Sequence, residues 1–189
     1  MPETVSPIAD LAGLSLAEIA QAAEERRLPP VEKWNPDRLG DSAMRIARDG
    51  TWFHEGSPIT RPAMVRLFST ILRREPDGSH VLVTPAEKLV IDVEDAPFVA
   101  VELKSEGEGA ARRLAFRLNT GDVVVAGPDH RLRFDPGSDG PLPYLEVRRG
   151  LDALLARSVY YEIAEIAIDE GATPAGVWSD GAFFALEAA

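Results

Sequence analysis

Cysteine is absent from the 189 residues, which removes disulfides, thiolate metal sites and thiol nucleophiles together. Lysine is nearly absent. Lys33, Lys88 and Lys104 are the only three among 20 basic residues, leaving 17 arginines, whose planar forks suit carboxylate and phosphate. Positive charge is in deficit overall, with Lys+Arg 20 against Asp+Glu 31 and a net charge of −11. Bulk attraction to nucleic-acid phosphates or anionic lipid is thereby excluded. No apolar run approaches the ~20 residues a spanning helix needs. The opening Met1-Pro2-Glu3-Thr4-Val5 lacks the basic and apolar regions of a secretory signal. The expectation is a cytoplasmic protein with no nucleic-acid and no membrane partner. Phosphate-loop, dinucleotide, nucleophile-elbow and zinc-helix motifs are all missing, and no cofactor is expected.

What is present is an ordinary globular composition, 45% hydrophobic and 27% charged, enough apolar material to fold. The length predicts two small domains rather than one. Ser15-Leu16-Ala17-Glu18 is a capping box opening a short helix to Arg27, which Pro29 and Pro30 stop. Residues 44–47 and 51–54 read as strands around an Asp49-Gly50 turn. A helix is predicted over 62–74, where Met64, Leu67, Phe68, Ile71 and Leu72 form one apolar stripe. Strands follow at 81–83, 89–93 and 98–103, then at 114–118, 123–125, 131–134 and 144–147. A long helix is predicted over 151–168, ending near Gly171, before a final strand pair at 176–178 and 182–186. Both halves place strands before a helix, and Ile59-Thr60-Arg61-Pro62 can be laid over Val147-Arg148-Arg149-Gly150. These patterns predict an α+β fold of two related domains: a lead-in over 1–33, a first domain over 34–105 and a second over 106–189.

An arginine at a helix amino terminus opposes the helix dipole by ~0.3–1 kcal/mol. Arg61 before the first helix, and Arg148 and Arg149 before the predicted second, both break the rule. If the repeat brings both helix starts together, their N–H groups and guanidiniums converge on an anion. The alternative is simple pairing with Glu55, Glu146 or Asp152. Thr84-Pro85-Ala86-Glu87 is a tight capped turn that, with Lys88, can frame such an anion. Trp52 and Trp178 offer stacking surfaces for a ring. On the predicted second helix Glu162 falls within the apolar arc, flanked by Arg157 and Tyr161, and could serve as acid/base or orient an arginine. His54, His80 and His130 lack the neighbours a metal site needs. Ser57, followed by Pro58, is a poor nucleophile.

Three stretches carry a family resemblance: residues 50–61 (GTWFHEGSPITR), 65–73 (VRLFSTILR) and 82–88 (LVTPAEK). Shorter matches lie at Asp95-Ala96-Pro97-Phe98, at residues 143–148 and 157–161, and at Val177-Trp178-Ser179-Asp180-Gly181. From about Trp34 onward the chain resembles a proteobacterial family, domain of unknown function twelve eighty-five. The resemblance implies a two-domain α+β fold, a cleft between the domains for a nucleotide-like ligand, and a part in signalling. It implies no residue roles. The expectation is therefore a small-molecule binding protein whose interdomain cleft takes an anionic, nucleotide-like ligand through Arg61, Thr84, Lys88, Arg148, Arg149, Tyr161 and Glu162, with Trp52 or Trp178 stacking. The alternatives are an enzyme using Glu162 or His54 as acid/base, and an adaptor with a protein partner.

Overall fold

The computed structural model describes residues 28–187, together with Ser15, Ala17 and Glu18. The capping box is formed: Ser15 N–H donates to Glu18 Oε2 at 2.8 Å, and Glu18 N–H donates to Ser15 Oγ at 3.3 Å. The rest of that expected helix lies outside the described residues.

Two six-stranded mixed sheets make up the α+β fold. The first contains β1 (Arg38–Ile46), β2 (Trp52–His54), β3 (Ser57–Pro58), β4 (Leu72–Arg74), β5 (His80–Val83) and β6 (Glu87–Val93), with helix α1 (Pro62–Thr70) between β3 and β4. The second contains β7 (Phe98–Glu106), β8 (Arg113–Leu118), β9 (Val123–Val125), β10 (Leu132–Asp135), β11 (Leu142–Arg148) and β12 (Leu151–Leu155). Helix α2 (Arg157–Glu170) and the hairpin β13 (Gly176–Ser179) and β14 (Ala182–Ala185) follow.

The repeat is exact in strand order. The first sheet runs β3-β2-β1-β6-β5-β4 and the second β9-β8-β7-β12-β11-β10. In each, two three-strand antiparallel meanders join through one central parallel pair, β1 with β6 and β7 with β12. The helices do not correspond. In the first sheet α1 joins the two meanders, whereas in the second residues 126–131 join them and α2 comes after β12. The alignment of Arg61-Pro62 with Arg149-Gly150 is therefore corrected: the first is a helix start and the second the tight turn between β11 and β12.

Three other expectations change. Leu151–Leu155 is a strand and not the first turns of a helix; as the partner of both β11 and β7 it is buried at Leu151, Asp152, Ala153 and Leu155. A continuous apolar run reads equally as buried strand or buried helix, and here sheet pairing decides. The helix over 62–74 stops at Thr70, and Leu72–Arg74 joins the sheet edge as β4. Met64 and Leu67 of its predicted stripe face outward, at 39% and 63% exposure, while Val65, Phe68 and Ser69 face in. Finally, β7 belongs to the second sheet, so the sheets divide at Glu94–Pro97 rather than after residue 105.

One apolar core joins the two sheets, with Ile46, Trp52 and Leu72 from the first meeting Phe98, Phe116 and Leu145 from the second. The indole of Trp52 stacks on Phe68 of α1, ring centroids 6.4 Å apart. Helix α2 lies against β7 and β13 through buried Val159, Ile163 and Ala167, and ends at Gly171 in the left-handed conformation. The final hairpin is pinned by buried Ser179, whose Oγ accepts from Leu114 N–H and donates to the Ala126 carbonyl.

Candidate functional site

Arginines from both sheets line a cleft of about 310 Å³ at their junction. Arg73 and Arg74 enter from β4, Arg148 from the end of β11, Arg149 from the β11–β12 turn, and Glu32 from a short 3-10 turn (Val31–Lys33) of the lead-in. Arg73 makes three side-chain hydrogen bonds. It bonds Glu75 at 2.6 Å and donates to the carbonyls of Val31 and Trp34, both at 2.8 Å, which straps the lead-in to the first sheet. Val31 is buried there against Val81 and Val83. Glu75 also takes Lys88 Nζ at 2.9 Å. Burial pushes the Glu75 carboxyl up, but Arg73 and Lys88 outweigh it and hold the group below the usual carboxylate range.

Arg74 is exposed and reaches across to the Gly150 carbonyl at 3.2 Å; among the described residues it has no carboxylate partner. Its cross-strand neighbour is His80, whose pKa is lowered by burial first and by the Arg74 charge second, with Asp152 opposing. Arg149, with a positive φ of 43° in the turn, pairs with Glu32 at 3.1 Å while remaining 70% exposed. Arg148 donates to the Ser69 carbonyl and lies over the Phe98 ring at 5.3 Å. Ser69 is near the carboxyl end of α1, where a cation complements the helix dipole.

This overturns the proposed convergence of helix-heading arginines. Arg61 is the N-cap residue of α1, Arg148 sits near the other end of the same helix, and neither Arg148 nor Arg149 heads a helix. The pairing of Arg149 with an acid is as the simpler alternative had it, but the partner is Glu32.

A second cleft, of about 480 Å³, lies between the sheets at the amino end of α1. The first domain supplies Trp52, Ile59, Pro62 and Arg66, and the second supplies Arg117 and Asn119. Arg117 is neutralised by Glu102 at 2.6 Å. Asn119 latches the sheets: its Oδ1 accepts from Val99 N–H at 3.0 Å and its Nδ2 donates to the Gly50 carbonyl at 3.2 Å. Arg61 adjoins this cleft in sequence, between lining residues Thr60 and Pro62.

The remaining candidates are dispersed. Thr84 caps its turn by accepting from Ala86 and Glu87 N–H, and it lines neither cleft. Lys88 reaches the arginine cleft only through Glu75. Trp178 packs on Phe183 in the final hairpin, 5.3 Å between centroids. Glu162 and Tyr161 are exposed on α2, because the helix begins at Arg157 and its buried face runs through Val159 and Ile163. The Glu162 carboxyl is nevertheless raised, by partial burial and then by Glu165 and Glu102. His54 is exposed at the end of β2. Among the described residues no group of His, Asp and Glu could hold a metal ion.

Sequence reasoning missed Arg73, Arg74 and Arg66. Arg73-Arg74 and Arg148-Arg149 are both doublets, but so are Arg26-Arg27 and Arg112-Arg113, so doubling alone selects nothing. Only the docking of one sheet on the other brings the lining pairs together.

Two family models cover the chain: domain of unknown function (DUF1285), N-terminal domain, over residues 29–96, and the C-terminal domain of the same family over 97–186. A crystal structure of a DUF1285 family protein from Silicibacter pomeroyi DSS-3 is 46% identical, covers 89% of this chain and 93% of its own, and superposes with a TM-score of 0.78. Another, from Shewanella baltica OS155, is 26% identical, covers 66% of this chain and 92% of its own, and gives 0.53. Comparison with curated proteins gives no match.

Proposed function

The chain belongs to the DUF1285 family, and from that premise we propose that it binds a small anionic molecule in the arginine-lined cleft between its two domains. One observation carries the reading. Four guanidiniums (Arg73, Arg74, Arg148, Arg149) against two carboxylates (Glu32, Glu75) give this lining a charge of +2, within a chain whose net charge is −11. Arg74 is the exposed cation with no carboxylate to hold it among the described residues. Arg149 is held by an exposed pair of the kind worth ~0–1 kcal/mol, so an incoming anion readily takes the place of Glu32.

Guanidinium pairs recognise phosphate oxygens in a bidentate fashion, and the cleft volume lies at the small end of ligand pockets. A compact phosphorylated, nucleotide-like molecule of the cytoplasm fits both, and ligand-dependent signalling is the role we assign. The test is a thermal-shift panel of nucleoside monophosphates and phosphorylated metabolites on the native chain and on the Arg74→Met/Arg149→Met double variant. The expected result is a stabilising compound whose effect disappears in the double variant. No stabilisation by any member, or an unchanged response in the variant, overturns the proposal.

A further inference from the structure

Trp52 is 1% exposed, yet its indole Nε1–H has no acceptor within the protein. The Nε–H of Arg66 is likewise buried and without an acceptor. Both residues line the 480 Å³ cleft at the amino end of α1. Leaving a buried donor unmade is costly, and two such donors on residues that line one cavity point to a place where an outside molecule supplies acceptors.

The chemistry of that molecule is constrained on three sides. No lining side chain carries a buried acceptor without a donor, so these side chains ask no amine or hydroxyl hydrogens of the ligand. Charge is limited too. Arg117 is taken by Glu102, and Asp49 keeps its negative charge while accepting from Thr51 N–H, so Arg66 is the lining cation without a carboxylate partner among the described residues and the lining has no positive charge to spare for a second anionic group. One such cation suits a single negative charge. Finally, Ile59, Pro62 and Val65 offer an apolar wall beside the indole. We propose that this cleft binds an organic monocarboxylate, whose oxygens accept from Trp52 Nε1–H and Arg66 Nε–H once the side chains covering these two donors shift aside, while its carbon body lies against Ile59, Pro62 and Val65. The arginine cleft takes no part in it.

The indole resonances of the ¹⁵N-labelled full chain give a direct readout. The chain has three tryptophans, and Trp34→Phe and Trp178→Phe identify the Trp52 signal by elimination. Benzoate and octanoate are titrated at millimolar concentration beside benzamide and inorganic phosphate. A saturable downfield shift of the Trp52 Nε1 proton is expected with at least one carboxylate, and none with benzamide or phosphate. Arg66→Met weakens the carboxylate by ~10-fold or more, whereas Arg74→Met/Arg149→Met leaves it unchanged, which separates this site from the arginine cleft. A Trp52 signal that neither carboxylate moves overturns the proposal, as does one that phosphate moves equally or one whose titration is the same in Arg66→Met. Should Arg66→Met not fold, the comparison of benzoate with benzamide on the native chain decides.

Discussion

The Arg148 guanidinium donates to the carbonyl of Ser69, tying the end of β11 in one sheet to the carboxyl end of the helix that belongs to the other. It is a charged hydrogen bond at a helix end whose dipole favours it, across the junction on which the arginine cleft depends.

Arg148→Ala is expected to lower stability by ~1.5–3 kcal/mol, the range for hydrogen bonds to charged groups, since its packing on Phe98 goes as well. Urea unfolding of the two chains measures it. An unchanged midpoint would mean that the contact contributes nothing to domain docking.

Gly50 and Gly56 both have positive φ, 88° and 79°, but differ in surroundings. A Cβ on Gly50 would stand 2.6 Å from Asn119 Nδ2 and 3.1 Å from Val99 Cγ2, whereas one on Gly56 meets nothing within 4 Å. Asn119 cannot yield cheaply, because both ends of its amide are bonded. Gly56→Ala should cost ~1 kcal/mol for backbone strain alone. Gly50→Ala should cost about 2 kcal/mol more through the clash and the lost latch, and thermal unfolding of the two variants gives the comparison.

Tyr144 donates to Asp95 Oδ1 at 2.6 Å in the segment that joins the sheets. Burial, then the bond and charge of Asp95, push its phenol up to about 12. The folded state therefore holds this proton more tightly than the unfolded chain. Its stability contribution is complete below pH ~10, the usual phenol value, and is lost as pH rises toward the folded value. Ultraviolet titration should find one tyrosine ionising two units late, and Tyr144→Phe should remove that step along with the matching decline in unfolding free energy.

Glu75 shows the opposite sign. Its carboxyl is held low by Arg73 and Lys88 despite burial, so its contribution is present above the ordinary carboxylate pKa of ~4.3 and is lost as pH falls through the folded value. Glu75→Gln should flatten the acid limb of the stability curve below pH ~4.3 and lower stability at neutral pH, where Arg73 and Lys88 lose their partner. Equal acid slopes in both proteins would remove Glu75 from the account of acid unfolding.

Local chemistry made the turns legible. Asp49-Gly50, the Thr84 cap, Gly171 after α2 and the Asp180-Gly181 hairpin all stand where turn and cap preferences place them. The two-domain α+β class followed from the same pattern. What failed was whatever depends on partners distant in sequence. Leu151–Leu155 is apolar enough for a helix, and only the flanking β11 and β7 make it a strand. Glu162 moved from the apolar arc to the surface as a consequence of that one shift in helix start. The candidate site suffered most, because Arg148 and Arg149 share a cleft with Arg73 and Arg74 through sheet docking, which no local spacing encodes.

In both sheets the chain enters and leaves by the central parallel pair, so the edges are made by β3 and β4, and by β9 and β10, strands from the middle of each sheet's stretch of chain. In neither six-stranded sheet does the first or last strand in chain order lie at a rim where it could peel away and pair with a neighbouring molecule. Exchange of strands of either six-stranded sheet between copies would require prising a whole three-strand block out of the middle of that sheet, a rearrangement this topology resists by construction.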